Sequence, residues 1–329
     1  MVAASSLSAL KGASCLVTGG AGFIGSHLVD TLLAAGASVR VLDNFSTGYE
    51  QNLVHLAGKS EVSVLHGDAA DRDTVKDAVA GIDFIFHHSA MASVPRSMRE
   101  PLLCHDWCAT STVNLLAEAS AANVKRLVLA STSAAYGDSS FVSKRETDPT
   151  IPLSPYAASK LAAEGYCRAF NTGFGLETVV LRYFNVFGPR QDPQSEYSAV
   201  IPRFVSMILS GDRPVIYGDG EQSRDFVYVT DVARANMLAA TQPKAAGMTF
   251  NIGRGQRTSL LELLSTLRTL LGQDIEPIHE PPRAGDVRDS LADVSEARNH
   301  LGFDAEVSIA QGLKQSIEYY RTVATMATS

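Results

Sequence analysis

The chain has 329 residues, 45% hydrophobic and 19% charged, with a net charge of −7 at pH 7. That length supplies one large or two modest domains with an ample core, and the composition excludes a disordered or low-complexity protein. The acidic balance excludes a general nucleic-acid surface. No run reaches the roughly 18 apolar residues of a membrane span or reads as a secretory leader, so a cytoplasmic protein without a membrane partner is expected. Cys15, Cys104, Cys108 and Cys167 form no C-x-x-C pair; they read as reduced structural thiols, and no metal is expected.

Residues 14–18 form a β-like run that ends in Gly19-Gly20-Ala21-Gly22-Phe23-Ile24-Gly25, and an amphipathic helix is expected over 26–35. Strand, glycine turn and helix in that order make a dinucleotide-binding turn, because N–H groups at a helix start can cradle a pyrophosphate. A second strand, 38–42, ends in Asp43, eighteen residues after Gly25. A carboxylate there accepts hydrogen bonds from the adenosine ribose and repels a 2′-phosphate. NAD is therefore expected rather than NADP, provided that the preceding Arg40 does not turn inward.

Further strands are expected at 62–66, followed by Gly67-Asp68, at 82–87, and at 125–130, which leads into Ser131-Thr132-Ser133-Ala134-Ala135-Tyr136-Gly137. The Asp68 carboxylate suits the adenine amine. Strands alternating with helices after an early glycine turn imply an α/β fold with a doubly wound parallel sheet, whose ligands sit at the strand C-terminal ends. Thr132 and Ser133 stand at such an end, where hydroxyls can bind a substrate hydroxyl and pass its proton on.

Tyr156 and Lys160 follow, four residues apart in a run of helix formers after Ser154-Pro155. Ser154 is the expected cap, Pro155 suits a first turn, and the helix is expected to begin at the tyrosine. One turn brings both side chains to one face. Lowering a phenol from about 10 to about 7 takes ~4 kcal/mol, the order that a cation ~4 Å away in a partly dry cleft supplies. Lys160 is one candidate cation, and an oxidised nicotinamide ring is another. Ten tyrosines and eight lysines give about 0.24 such pairs by chance, so the pair needs its context.

That context continues downstream with Arg182-Tyr183-Phe184-Asn185-Val186-Phe187-Gly188-Pro189, Gly218-Asp219-Gly220, Ser223-Arg224-Asp225-Phe226, Arg283-Ala284-Gly285-Asp286 and Ala292-Asp293. With the glycine turn, Asp43, Asp68, the Ser131-Thr132-Ser133 run and the Tyr156-Lys160 pair, these motifs resemble the extended short-chain dehydrogenase/reductases that act on nucleotide sugars. Within them the chain, including Ala92-Ser93-Val94-Pro95-Arg96-Ser97, is most similar to the UDP-N-acetylglucosamine 4-epimerases. The resemblance implies a Rossmann domain with tightly held NAD, contacted by Gly19, Gly22, Phe23, Ile24, Gly25, Asp43, Asn44, Asp68, Tyr156 and Lys160. It implies that Tyr156 takes the proton of the sugar 4-hydroxyl while hydride moves to NAD and then returns to the other face of a 4-keto sugar. Thr132, Ser133 and Lys160 would assist.

After Asn185 the rhythm breaks at Pro189, Pro193, Pro202 and Pro214, while 178–182 and 226–229 still read as strands of the first domain. The expected NAD-binding domain is 1–184 with 218–242, and a smaller, discontinuous α/β domain for the nucleotide sugar is 185–217 with 243–329. The resemblance implies that Arg224 and Arg283 grip the diphosphate with help from Asn185, that Asp286 meets the uridine ribose, and that Tyr217 meets the uracil. It adds Ser93, Val200 and Ser290 to the substrate contacts. A serine at 290, where a bulky tyrosine restricts relatives to unacetylated sugars, leaves room for an N-acetyl group.

Ser133 and Ala134 stand where dehydratases and decarboxylases of the same group carry acids, which removes the usual proton-moving groups for elimination or decarboxylation. Two departures stand out. Cys108-Ala109-Thr110-Ser111-Thr112 replaces an Asn-Val-x-Gly-Thr run near the nicotinamide, and His87-His88-Ser89-Ala90 replaces His-x-Ala-Ala, both histidines reading as structural or cofactor-loop residues. A uronate epimerase, with Ser93, Arg96 and Arg190 as loosely placed carboxylate partners, is the nearer rival. A silent NAD-binding sensor is the rival of another class. The resemblance also implies a homodimer through helices at 110–122 and 156–171.

Overall fold

Apolar runs separated by helices can only be buried as parallel strands covered on both faces, and that is what the first half of the chain forms. The computed structural model describes residues 9–139, 141–192, 199–282 and 288–327. Seven parallel strands, Ser14–Thr18 (β1), Ser38–Asp43 (β2), Val62–His66 (β3), Phe84–His87 (β4), Arg126–Thr132 (β5), Glu177–Tyr183 (β6) and Thr249–Ile252 (β7), lie in the order β7-β6-β5-β4-β1-β2-β3. The order reverses between β1 and β4, so a crevice opens above their C-terminal ends.

Helices Phe23–Ala34 (α1) and Val229–Thr241 (α5) cover one face, where Val17, Leu28, Phe86, Val128 and Leu238 share a core. Arg72–Val79 (α2), Ser111–Ala121 (α3) and Pro155–Gly173 (α4) cover the other, around Leu16, Ile85, Leu115, Leu127 and Cys167. α1 begins three residues before the expected start, because Gly22 is itself the cap. α4 begins at Pro155, one residue early, with the Ser154 hydroxyl accepting the Ala157 N–H at 3.2 Å.

The second layer of structure packs helices Val200–Leu209, Leu260–Leu271 and Ile309–Ala327 around Phe187, Phe204, Ile208, Leu263 and Leu313. Its strands are short. Thr258–Ser259, Ser223–Arg224, Asp289–Ala292 and Ser143–Lys144 form a mixed four-stranded sheet in that order.

Three placements differ from expectation. Phe226–Tyr228 is not a strand of the large sheet; it pairs with Asn185–Phe187 in a separate parallel pair. The outer edge of β6 is taken by Thr249–Ile252, which the expected boundary at 243 had placed in the second domain. Residues 223–224, expected in the first domain, belong to the small sheet. Among the described residues no helix is long and apolar enough to cross a membrane.

Candidate active site

The glycine turn closes through Gly22 N–H donating to the Gly19 carbonyl at 3.1 Å, and α1 starts directly from it. Gly19 has φ of 69°, and a Cβ there would sit 2.7 Å from the Ser89 nitrogen. At Gly25 a Cβ would lie 2.1 Å from the Gly19 carbonyl oxygen. Neither position tolerates a side chain without moving backbone, so the turn, helix and β4 loop approach as closely as chains can. No side chain caps α1. Its first N–H groups are left facing a cleft of about 400 Å³ lined by Gly19, Gly22, Phe23, Ile24 and Gly25.

Asp43 lines the same cleft and is buried, which pushes its carboxyl above the usual range. Among the described residues, Ala21 N–H donates to Oδ2 and Phe45 N–H to Oδ1, each at 2.8 Å. A carboxylate offers about four acceptor sites, so one per oxygen remains for a vicinal pair of hydroxyls. Arg40 does not turn inward. Its Nη1 donates to the carbonyls of Ala78 and Ala80 at 2.7 and 2.9 Å, at the C-terminal end of α2. Asn44 and Asp68 also line the cleft, and the Asn44 amide donates to Asp68 Oδ2 at 3.0 Å. The Gly19 cradle, the two open acceptors and the cleft volume fit a dinucleotide with an unphosphorylated ribose.

Tyr156 and Lys160 line the far part of this cleft. The Thr132 hydroxyl is close enough to Tyr156 to favour its phenolate, and Lys160 Nζ donates to the Ala130 carbonyl at 2.8 Å. The expected lowering of the phenol is not met in the protein alone. Burial pushes Tyr156 above its ordinary value and the neighbouring Cys108 adds to this, while the Thr132 hydroxyl works the other way. Burial also lowers the Lys160 ammonium. Ser133 opens the short 3-10 turn Ser133–Tyr136 and is partly exposed.

Cys108, at the departure from asparagine, is fully buried in a π-helical turn, Asp106–Thr110. The neighbouring Cys104 thiol, and after it the Lys160 charge, lower the Cys108 thiol while Cys104 is pushed up. All four cysteines are free thiols. His87 bridges Thr18 and Thr112 through its two ring nitrogens at 2.8 and 3.0 Å, and His88 Nε2 meets the Tyr183 hydroxyl at 3.0 Å.

Sequence reading missed what holds α4 in place. Glu164, two turns after Tyr156, accepts from the Ser131 hydroxyl and forms a 2.7 Å ion pair with Arg182 on β6, both partners about 5% exposed. Arg182 donates on to the Tyr136 hydroxyl at 3.0 Å, which donates to Asn251 on β7 at 2.6 Å. The signal was a one-turn spacing from Lys160 to Glu164, but its partner is remote in sequence.

On the substrate side, Ser93 caps the helix Val94–Arg99 and lines the large cleft. Asn185, Val200, Tyr217 and Arg224 are brought together around a second cleft of about 240 Å³, which meets the first at Ala199. Ser290 is the register partner of Arg224 on the neighbouring strand. Arg283 and Asp286 lie outside the described residues.

Comparison with known proteins agrees with this geometry. Residues 15–253 match the model of the NAD dependent epimerase/dehydratase family. The chain is 38% identical over 308 residues to UDP-glucose 4-epimerase of Mycolicibacterium smegmatis, covering 93% of this chain and 98% of that protein. It is similar to the structure of UDP-N-acetylglucosamine 4-epimerase from Methanobrevibacter ruminantium in complex with UDP-N-acetylmuramic acid, with a TM-score of 0.91 at 37% identity, covering 95% of this chain and 99% of that one. A UDP-glucose 4-epimerase from Thermotoga maritima with UDP-glucose gives a TM-score of 0.89 at 39% identity, covering 94% and 99%. The chain belongs to the NAD-dependent epimerase/dehydratase family, and its cofactor is NAD.

Proposed function

We propose that the protein interconverts UDP-N-acetylglucosamine and UDP-N-acetylgalactosamine by transient oxidation at carbon 4, and acts also on UDP-glucose and UDP-galactose. The observation that carries this reading is one cleft lined by the glycine turn after β1, by Asp43 at the end of β2, and by Tyr156 and Lys160, the lysine bonded to Ala130 near the end of β5. In this reading Tyr156 accepts the proton of the 4-hydroxyl, Thr132 and Ser133 orient and relay it, and Lys160 supplies a fixed positive charge. NAD, when bound, takes up a hydride and gives it back to the opposite face of the sugar.

Asn185, Val200, Tyr217 and Arg224, with Arg283 and Asp286, are assigned to the UDP portion; a guanidinium offers forked donors suited to a diphosphate. Ser133 and Ala134 supply no acid or base for elimination or decarboxylation, which leaves epimerisation. The small side chain at Ser290 and the likeness to a UDP-N-acetylglucosamine 4-epimerase support an acetylated substrate. Purified protein incubated with each UDP sugar and no added NAD tests the reading. Interconversion of the N-acetylhexosamine pair is expected, and inactivity on both members would end it.

The reading extends to a homodimer through α3 and α4. Met98 and Leu102, 61% and 82% exposed, lie on short helices packed against α4, and Tyr166 on α4 is itself exposed. Light scattering at twice the chain mass is the expected result.

A further inference from the structure

Trp107 is the chain's only tryptophan, and sequence reading assigned it no role. It stands in the π-helical turn Asp106–Thr110, inserted between the short helix Pro101–His105 and α3. A wide turn of this kind re-aims its side chains relative to a regular helix, and such turns recur at functional sites. Here the indole lines the large cleft, and its Nε1–H donates to Asp68 Oδ2 at 3.0 Å.

The ring is itself held. The Arg96 guanidinium lies 5.2 Å from its centre, anchored by an ion pair to Glu100 at 3.1 Å, and Trp107 packs against the buried cluster of Met91, Cys104 and Cys108. Asp68 receives two other donors among the described residues: the Asn44 amide on Oδ2 at 3.0 Å and the Ala70 N–H on Oδ1 at 2.8 Å. Of about four acceptor sites on the carboxylate, these three donors fill both on Oδ2 and one on Oδ1. A single site on Oδ1 remains.

We propose that Trp107 is a cofactor-positioning residue: its indole N–H fixes the Asp68 carboxylate so that the open Oδ1 site meets the exocyclic amine of the adenine, while its ring walls that end of the cleft. The proposal rests on the reading of Asp68 as the adenine contact. Phenylalanine at 107 would keep an aromatic wall and lose the donor, freeing the carboxylate to rotate. Discrimination for the amine would fall, and the fold would stay.

The test uses the full chain carrying labelled NAD, equilibrated against unlabelled NAD or nicotinamide hypoxanthine dinucleotide. The analogue replaces the amine with a carbonyl oxygen that faces the carboxylate unfavourably. Wild-type protein is expected to prefer NAD by at least about tenfold, as a site built around a hydrogen bond does. In Trp107→Phe the preference is expected to fall below about threefold with the melting temperature held within a few degrees, and Asp68→Ala should erase it. Emission from Trp107 should also change when NAD is stripped from the wild type. An unchanged preference in Trp107→Phe, no preference in the wild type, or indifferent emission overturns the proposal. Failure of the wild type to hold either dinucleotide would instead overturn the cofactor assignment beneath it.

Discussion

In the proposed reaction Tyr156 has to be ionised often enough to accept a proton, and the protein alone does not meet that demand. Burial raises the phenol; the Thr132 hydroxyl opposes it, and the Lys160 ammonium is engaged by the Ala130 carbonyl. A second positive charge at the cleft is then needed, which is what an oxidised nicotinamide ring carries. Tyr156→Phe removes the proposed base and little else. It is expected to fold and keep NAD while losing at least ~100-fold in turnover, the scale of a general base; near-normal turnover would refute the role. At Ser290 the argument is one of volume. Ser290→Tyr is expected to lower the ratio of kcat/KM for N-acetylated over unacetylated sugars by roughly 10-fold or more, the scale on which a pocket's size separates substrates that differ by a small group. An unchanged ratio would remove Ser290 from the sugar pocket.

At the scale of elements, the proposed reaction depends on the placement of α4 against the sheet. Tyr156, Lys160 and Glu164 occupy one stripe of that helix. Lys160 reaches the end of β5, and Glu164 is clamped to β5 through Ser131 and to β6 through Arg182. Both members of the ion pair are almost fully buried, so removing one leaves an uncompensated charge. Glu164→Gln is expected to cost about 3–5 kcal/mol by urea unfolding. A loss below about 1 kcal/mol would show that the clamp is replaceable.

Across the whole molecule, three histidines that desolvation holds neutral contribute to the response to acid. Burial lowers His27 to about 4 and His88 to about 3, and takes His87 well below its ordinary value. In the unfolded chain each titrates near 6.5. The unfolded state therefore binds these protons first, so their stabilisation is complete above about pH 6.5 and is lost as pH falls toward the folded values, at up to ~1.4 kcal/mol per pH unit for each. Asp225 works the other way. Burial raises its carboxyl to about 6, so its folded state binds a proton first and gains stability on acidification. Burial raises the Asp43 and Glu146 carboxyls in the same sense as Asp225, but the histidine window opens first, at about pH 6.5, and urea unfolding is expected to give lower stability at pH 5 than at pH 7. His27→Gln should shallow that dependence by about one proton, and a flat profile between these pH values would contradict the assignment.

The glycine turn, Asp43, and the Tyr156-Lys160 pair were legible in the sequence because each piece of chemistry is carried by residues within a turn or two of one another, at spacings that backbone geometry dictates. The parallel sheet was legible because short apolar runs between helices have few other ways to be buried. Partners far apart in the chain were not. Arg182 and Glu164 read like any surface pair, Tyr136 and Asn251 are 115 residues apart, and Trp107 meets Asp68 across 39. Only the folded chain decided that Thr249–Ile252 closes the large sheet, that Arg40 faces a helix end, and that an indole holds an acid in the cofactor cleft. Local spacing is written into the covalent chain, whereas these contacts exist only once separate elements are packed together.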